Sequence, residues 1–174
     1  MGDSLITIIA IFLAALLLFV FPLMAVSERS DDITHLSLQT ATDEFVDKVR
    51  TTGTLTLDDW SKYIQTASSL GISVEPEIQI QVLDENPGVK TTQTEITKIG
   101  ENVYYNLYTS QVEEQLSNNK KIVLKEGDRI SVSVKNTNKT MAQILRNFFY
   151  SLAGNDSYEI AAKHGGVVTV NGNK

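Results

Sequence analysis

The side chains that ordinarily do chemistry are few in this sequence and poorly spaced for it. There are no cysteines, which excludes disulfides, thiolate metal sites and cysteine nucleophiles. The two histidines, His35 and His164, leave little material for a zinc site or a histidine-based acid–base pair. Asp31-Asp32, Asp58-Asp59 and Glu113-Glu114 are sequence neighbours. Neighbours on a helix do not face each other, so these pairs read as solvated faces or helix starts. The run Asp84–Gly88, with Glu95 downstream, has the outline of a calcium loop, but Pro87 interrupts it and its glycine falls one position early. His164-Gly165-Gly166 would set an imidazole beside open backbone donors, yet no serine nucleophile elbow or paired acid accompanies it. Phosphate-loop, dinucleotide and zinc-protease motifs are missing from the sequence. Asn138-Lys139-Thr140 and Asn155-Asp156-Ser157 fit the glycosylation triplet, a pattern short enough to arise often by chance. The expectation is a protein that is not an enzyme, with no catalytic residue, cofactor or metal.

Charge excludes a further class. The net charge is −6 and the only basic cluster is the small one of Lys120, Lys121 and Lys125. Such a chain lacks the basic face that neutralises phosphates, so nucleic acid is not expected among its partners.

The sequence speaks more clearly about solvent. From Leu5 to Val26 it carries no charge, and only Thr7 and Pro22 interrupt the apolar residues. As a helix these residues span about 33 Å, against about 30 Å for a hydrocarbon core. Ile9, Phe12, Leu16 and Phe19 leave no polar side to the segment, which suits lipid rather than one face of a soluble core. Pro22, near one end, should produce no more than a modest kink. The bilayer is thus the first expected partner. Ala25 and Ser27 could serve a signal-peptide cleavage site. However, Met1–Ser4 has no basic residue and the apolar run exceeds a usual signal core, so retention as an anchor is expected. Arg29, the first basic residue, leans weakly towards a cytoplasmic C-terminal part, but large domains translocate regardless of such charges and both orientations stay open.

Positioning elements follow. No Gly or Pro lies between Ser27 and Arg50, where Ile33, Leu36, Ala41, Phe45 and Val49 approximate a helical stripe. One helix from about residue 4 to about residue 51, stopped by Gly53, is the simplest reading. Thr56 with Asp59 resembles a capping box ahead of Trp60, Ile64, Ala67 and Leu70, and Trp60 and Tyr63 read as core packed on the stalk. Ile78, Ile80 and Val82 alternate with polar residues as a strand, with Pro76 at an edge or a strand start. Thr91–Thr97 is either a solvated loop or a short strand. Val103, Leu107, Val112 and Leu116 mark a helix, Ile122–Leu124 a short strand, and Ile130, Val132 and Val134 a clean one. Thr140 caps a helix closed by Gly154, and extended stretches at Tyr158–Ala162 and Val167–Val170 flank Gly165-Gly166. A frayed end is expected at Asn171-Gly172. The organisation is a flank over 1–4, a membrane helix over 5–26, an amphipathic stalk over 27–52 and an α+β head over 54–174. A ferredoxin-like layer suits the order of elements, with the stalk and the Trp60 helix as additions.

An apolar helix near the N-terminus, prolonged as an amphipathic stalk into a small α+β head, resembles type IV pilin-like proteins, above all TadE-like minor pilins of Gram-positive bacteria or their mobile elements. The resemblance rests on Leu5–Arg50, with Pro22 where many pilins carry a helix-bending proline, and on the Thr54–Asp59 entry to the next helix. The family's short basic leader does not precede the apolar segment here, unless the chain is already processed. The family's glutamate near the start of that segment is missing, and Leu5, Ile6 and Thr7 stand there instead. The resemblance implies an extracytoplasmic head on a single-pass protein of a pilus, secretion or conjugation system. Its partners would be other pilin-like or envelope proteins, or further copies of itself. Ile9, Phe12, Leu16, Phe19 and Pro22 would form the membrane and assembly face, and Ile33, Leu36, Ala41, Phe45 and Val49 the stalk packing face. The alternative is a bitopic adaptor whose head binds proteins without entering a filament.

Overall fold

Between Gly2 and Gly53 the sequence offers one helix breaker, Pro22, and the chain stays helical throughout. The computed structural model describes residues 2–84, 104–150 and 160–173, the side chains of 148–150 excepted. Helix α1 (Gly2–Thr52) absorbs the proline through a widened turn over Leu16–Val20, where bonding shifts to i→i+5. A proline cannot bond back to the carbonyl four residues earlier and crowds it. That carbonyl belongs to Leu18, inside the widened turn, which gives the ring room without breaking the rod. Gly53 ends the helix in the left-handed region at φ 63°, its N–H bonded to Val49 O at 2.9 Å.

Beyond Gly53 the elements are β1 (Thr54–Thr56), α2 (Leu57–Ser68), β2 (Val74–Leu83), β3 (Tyr104–Tyr108), α3 (Thr109–Asn119), β4 (Lys121–Val123), β5 (Arg129–Asn136), α4 (Met141–Tyr150) and β6 (Ala161–Val167). Thr56 caps α2 by accepting the Asp59 N–H at 3.1 Å, as the sequence leads one to expect. β1 pairs with β4, and a four-stranded antiparallel sheet runs in the order β3-β2-β5-β6. The inward residues Ile78, Ile80, Ile130, Val132 and Val134 are buried under the helices, while the opposite face, with Glu75, Glu77 and Lys135, stays open. Leu38, Phe45, Val46 and Val49 of α1 belong to this same core, with Trp60 and Tyr63 of α2 and Val112 and Leu116 of α3. The far half of the long helix is therefore the central helix of the head.

The class is α+β, but the sheet order departs from a ferredoxin-like one. That arrangement would set the last strand beside the first; here β6 pairs with β5, and β2 with β3. Tyr104–Tyr108 is a strand, not the first turn of a helix beginning at Val103. Leu107 stands opposite Ile80 across the ladder, and the helix starts only at Thr109. Gly165-Gly166 does not divide two extended stretches. β6 runs through the pair, because a Cβ at Gly165 would press on Ile130 O and Ser131 of β5. Asn171-Gly172 is held rather than frayed: Gly172 N bonds Leu124 O at 2.9 Å and Asn171 Oδ1 accepts Glu126 N at 2.9 Å. Pro76 lies in the first half of β2, beyond the reach of β3, where the strand has a neighbour on one side only. The calcium-like loop from 85 onward, the Thr91–Thr97 stretch, the Gly154 stop, the Asn155 triplet and Tyr158 lie outside the described residues.

Gly53 is a tight point of the fold, since a Cβ there would overlap Gly172 N and Val170 O in addition to requiring a positive φ. Gly53→Ala should lower unfolding stability by about 2 kcal/mol or more, and Thr56→Ala by about 1 kcal/mol. Urea titration of the detergent-solubilised protein, followed through the single Trp60, measures both.

Candidate functional site

The first candidate surface is the apolar part of α1. Ile9, Phe12, Phe19 and Pro22 are exposed and Leu16 half-exposed, with Phe19 at 72%. Among the described residues this is the one helix long and apolar enough to cross a membrane, judged by length and composition.

Of the stalk stripe, Phe45 and Val49 are buried, Ala41 is half-buried, and Ile33 and Leu36 are exposed at 58% and 67%. The residues that pack on the head are Leu38, Thr42, Phe45, Val46 and Val49. A polar residue, Thr42, occupies one of these positions, and that is why an apolar-only stripe drifts off the true face. Thr42 Oγ1 donates to Leu38 O at 2.8 Å, which leaves Tyr63 OH to donate to Thr42 Oγ1 at 3.1 Å. Burial raises the Tyr63 phenol above its ordinary pKa, and the Thr42 bond pulls the other way. Phe45, Trp60 and Tyr63 form one aromatic cluster, with Phe45 and Tyr63 stacked at 4.7 Å between ring centres. Trp60 Nε1 donates to Glu113 at 3.3 Å, so these rings are core and the acidic residue serves them.

His164 is placed between two carboxylates. Its ring nitrogens lie 3.3 Å from Asp43 and 3.3 Å from Asp47, residues one turn apart on α1. Gln39 donates to Asp43 at 2.6 Å and to Lys163 O at 3.4 Å, and Arg50 bridges Asp47 at 2.8 Å and Val167 O at 3.0 Å. Gln39, Asp43, Asp47 and Arg50 thus form a polar seam along α1 that fastens the outer edge of β6. Its geometry is that of a structural clamp which blunts a sheet edge against strand addition. Among the described residues, no group of three or more His, Asp or Glu is placed to hold a metal ion.

The Asp58-Asp59 pair is also occupied. Asp58 pairs with Lys62 at 2.6 Å, and Asp59 takes Lys48 Nζ at 2.5 Å and the Thr56 hydroxyl at 2.6 Å. Burial pushes the Asp59 carboxyl up, but the bonds from Lys48 and Thr56 outweigh it and hold the group below the usual aspartate range. His35 is half-buried on α1.

Two structural polar residues escape sequence reasoning. Asp128 is 2% exposed and accepts Leu83 N and Lys125 N, both at 2.8 Å, so it ties the β5 entry to the end of β2. The turn Glu126-Gly127-Asp128 is visible in sequence; the bond from Leu83 N comes from 45 positions away and leaves no local trace. Asn136, also buried, accepts Ile160 N at 3.0 Å and donates to Asn138 O at 2.6 Å. Asn138 itself is exposed and accepts Ser73 N at 2.9 Å.

The second candidate surface is the open face of the sheet. Glu75, Glu77, Gln79, Ser131, Ser133 and Lys135 line a shallow concavity of about 920 Å³ there. It is open to solvent and without convergent catalytic groups among its lining residues.

Compared with protein families, curated proteins and solved structures, the chain matches none. Geometry alone therefore defines the class: a small α+β head built around the far half of a helix whose near half is membrane-length and apolar.

Two predictions follow from the clamp and the cap. Because the Asp59 pKa is lowered, its contribution is present above the ordinary aspartate pKa near ~3.9 and is lost as pH falls through its lower native value. Asp59→Asn should thus cost about 1 kcal/mol at pH 7 and nearly nothing at about pH 2, as read by chemical denaturation at both values. Replacing both Asp43 and Asp47 by Ala should release the β6 edge and speed amide hydrogen exchange in Ala161–Val167 at least about tenfold, a local loss of roughly 1.4 kcal/mol.

Proposed function

We propose that the chain is a single-pass, membrane-anchored, pilin-like structural protein of an envelope pilus, secretion or conjugation system. The observation that carries the reading is the continuity of α1. Its exposed apolar half and its core-forming half are one rod, so whatever holds the first half also positions the head. In a bilayer the first half is lipid-soluble. In an assembly the same surface can pack against copies or against similar helices, as small α+β heads on apolar stems do in pilin-like architectures. Ile33 and Leu36, exposed just above the apolar run, extend that packing surface out of the lipid. The head faces the outside of the cell in this reading. Catalysis is not part of this reading.

The alternative is a bitopic adaptor with the same anchor, whose open sheet face receives a protein partner. The native chain lacks cysteine, so single cysteines at Ile9, Leu16 and Ile33 report without background. At native expression, crosslinking should trap self-adducts or adducts to other apolar-stemmed proteins. Monomer alone would remove the assembly role, and protein that stays wholly with the membrane after shearing would favour the adaptor. Protease added to intact cells should cut the head. Leu16→Arg, which places a charge mid-segment at a cost of about 3 kcal/mol, should reduce the membrane-associated fraction.

A further inference from the structure

We propose that α4 is a membrane-surface helix, seated through Met141 and Ile144 in the headgroup layer of the leaflet from which the head emerges. The inference deepens the anchored reading and rests on it. Its basis is depth. Thr140 Oγ1 donates to Asp31 Oδ2 at 2.6 Å, and Arg146 Nη2 donates to Glu28 Oε1 at 2.8 Å. These two bonds fasten α4 to α1 just past Val26, where the apolar run ends. At 1.5 Å per residue, Glu28 lies about 3 Å and Asp31 about 7.5 Å beyond Val26 along the helix. The headgroup layer on each side of a bilayer is about 5–8 Å thick, so the whole pinned stretch of α4 falls within it.

The residues at that depth suit such a seat. Met141 and Ile144, one turn apart, are 56% and 50% exposed, whereas Ala142 and Gln143 are buried against the protein. Two large apolar side chains left in the open, on a helix whose other described side chains are buried or half-buried, are what an interfacial helix presents to lipid. Lys139, exposed immediately ahead of α4, supplies a cation at phosphate height. The anchor at Glu28 and Asp31 makes the depth independent of any affinity of α4 for lipid. The bilayer is therefore the occupant that this position selects over a soluble partner.

The test uses the full-length protein in phosphatidylcholine vesicles. Single cysteines replace Met141, Ile144, Leu13 and, at the opposite pole, Val123, which is also exposed. Each carries an environment-sensitive fluorophore. Spin labels are placed on the lipid headgroup in one set of vesicles and deep in the acyl chain in another. The expected result is loss of Met141 and Ile144 emission to the headgroup label, loss of Leu13 emission to the acyl label, and no loss at Val123. Quenching at Leu13 without quenching at Met141 or Ile144 would overturn the inference and leave the anchor standing. No quenching at Leu13 would overturn the anchor itself. Blue-shifted but unquenched emission at Ile144 would mean that protein covers the face, and would also overturn the inference. So would equal quenching at Val123, which would lay the whole head on the lipid.

Discussion

The constraint on which the molecule depends is that one hydrogen-bonded helix must satisfy two environments without a joint. From Gly2 to Thr52 every turn bonds to the next, and the only residue that could break the ladder, Pro22, is met by a widened turn at Leu16–Val20. Had the chain used a glycine hinge near Ser27, the apolar half and the head would be separate bodies. Instead Leu38, Phe45, Val46 and Val49 bring the same rod into the hydrophobic core, under Ile78, Ile80, Ile130 and Val132. The sheet, the aromatic cluster and the short β1–β4 pair are all arranged around that far half.

The polar residues make sense against this arrangement. On one side of α1 the seam of Gln39, Asp43, Asp47 and Arg50 holds β6 through His164 and two backbone carbonyls. On another, Lys48 reaches Asp59 at the start of α2. Lower down, Glu28 and Asp31 hold α4. The far part of α1 thus meets the head through polar contacts on several of its turns. Among the described residues, the surfaces left open include the apolar one at the near end, the exposed side of α4 and the open face of the sheet.

Much of this was legible in the sequence where a period persisted. The long helix showed itself by composition and by the lack of breakers. β2 and β5 showed themselves by strict alternation, and the Thr56 cap by its spacing from Asp59. β3 was misread because Val103 and Leu107 are four apart, a spacing that suits a helix, and because Tyr104–Tyr108 is too short for alternation to decide. Its strand identity comes from β2, which is distant in sequence. Gly165-Gly166 looked like a break because glycine usually marks one, yet here its lack of a side chain permits close approach to β5. The stalk stripe misled where Thr42 took a buried position, since a hydroxyl bonded to Leu38 O and Tyr63 costs little inside. Asp128 and Asn136 act through contacts that topology alone creates.

The stiffness of α1 has a mechanical meaning as well. Its length from Val26 to Thr52 is about 39 Å, so each ~10° of lean at the root carries the far pole sideways by about 7 Å. An apolar segment a little longer than the hydrocarbon is thick adjusts by leaning. Through a rod with no hinge, a change of bilayer thickness of a few ångströms becomes a displacement of the whole head, amplified as a lever amplifies. On the anchored reading proposed above, the position of the head would follow the thickness of the bilayer.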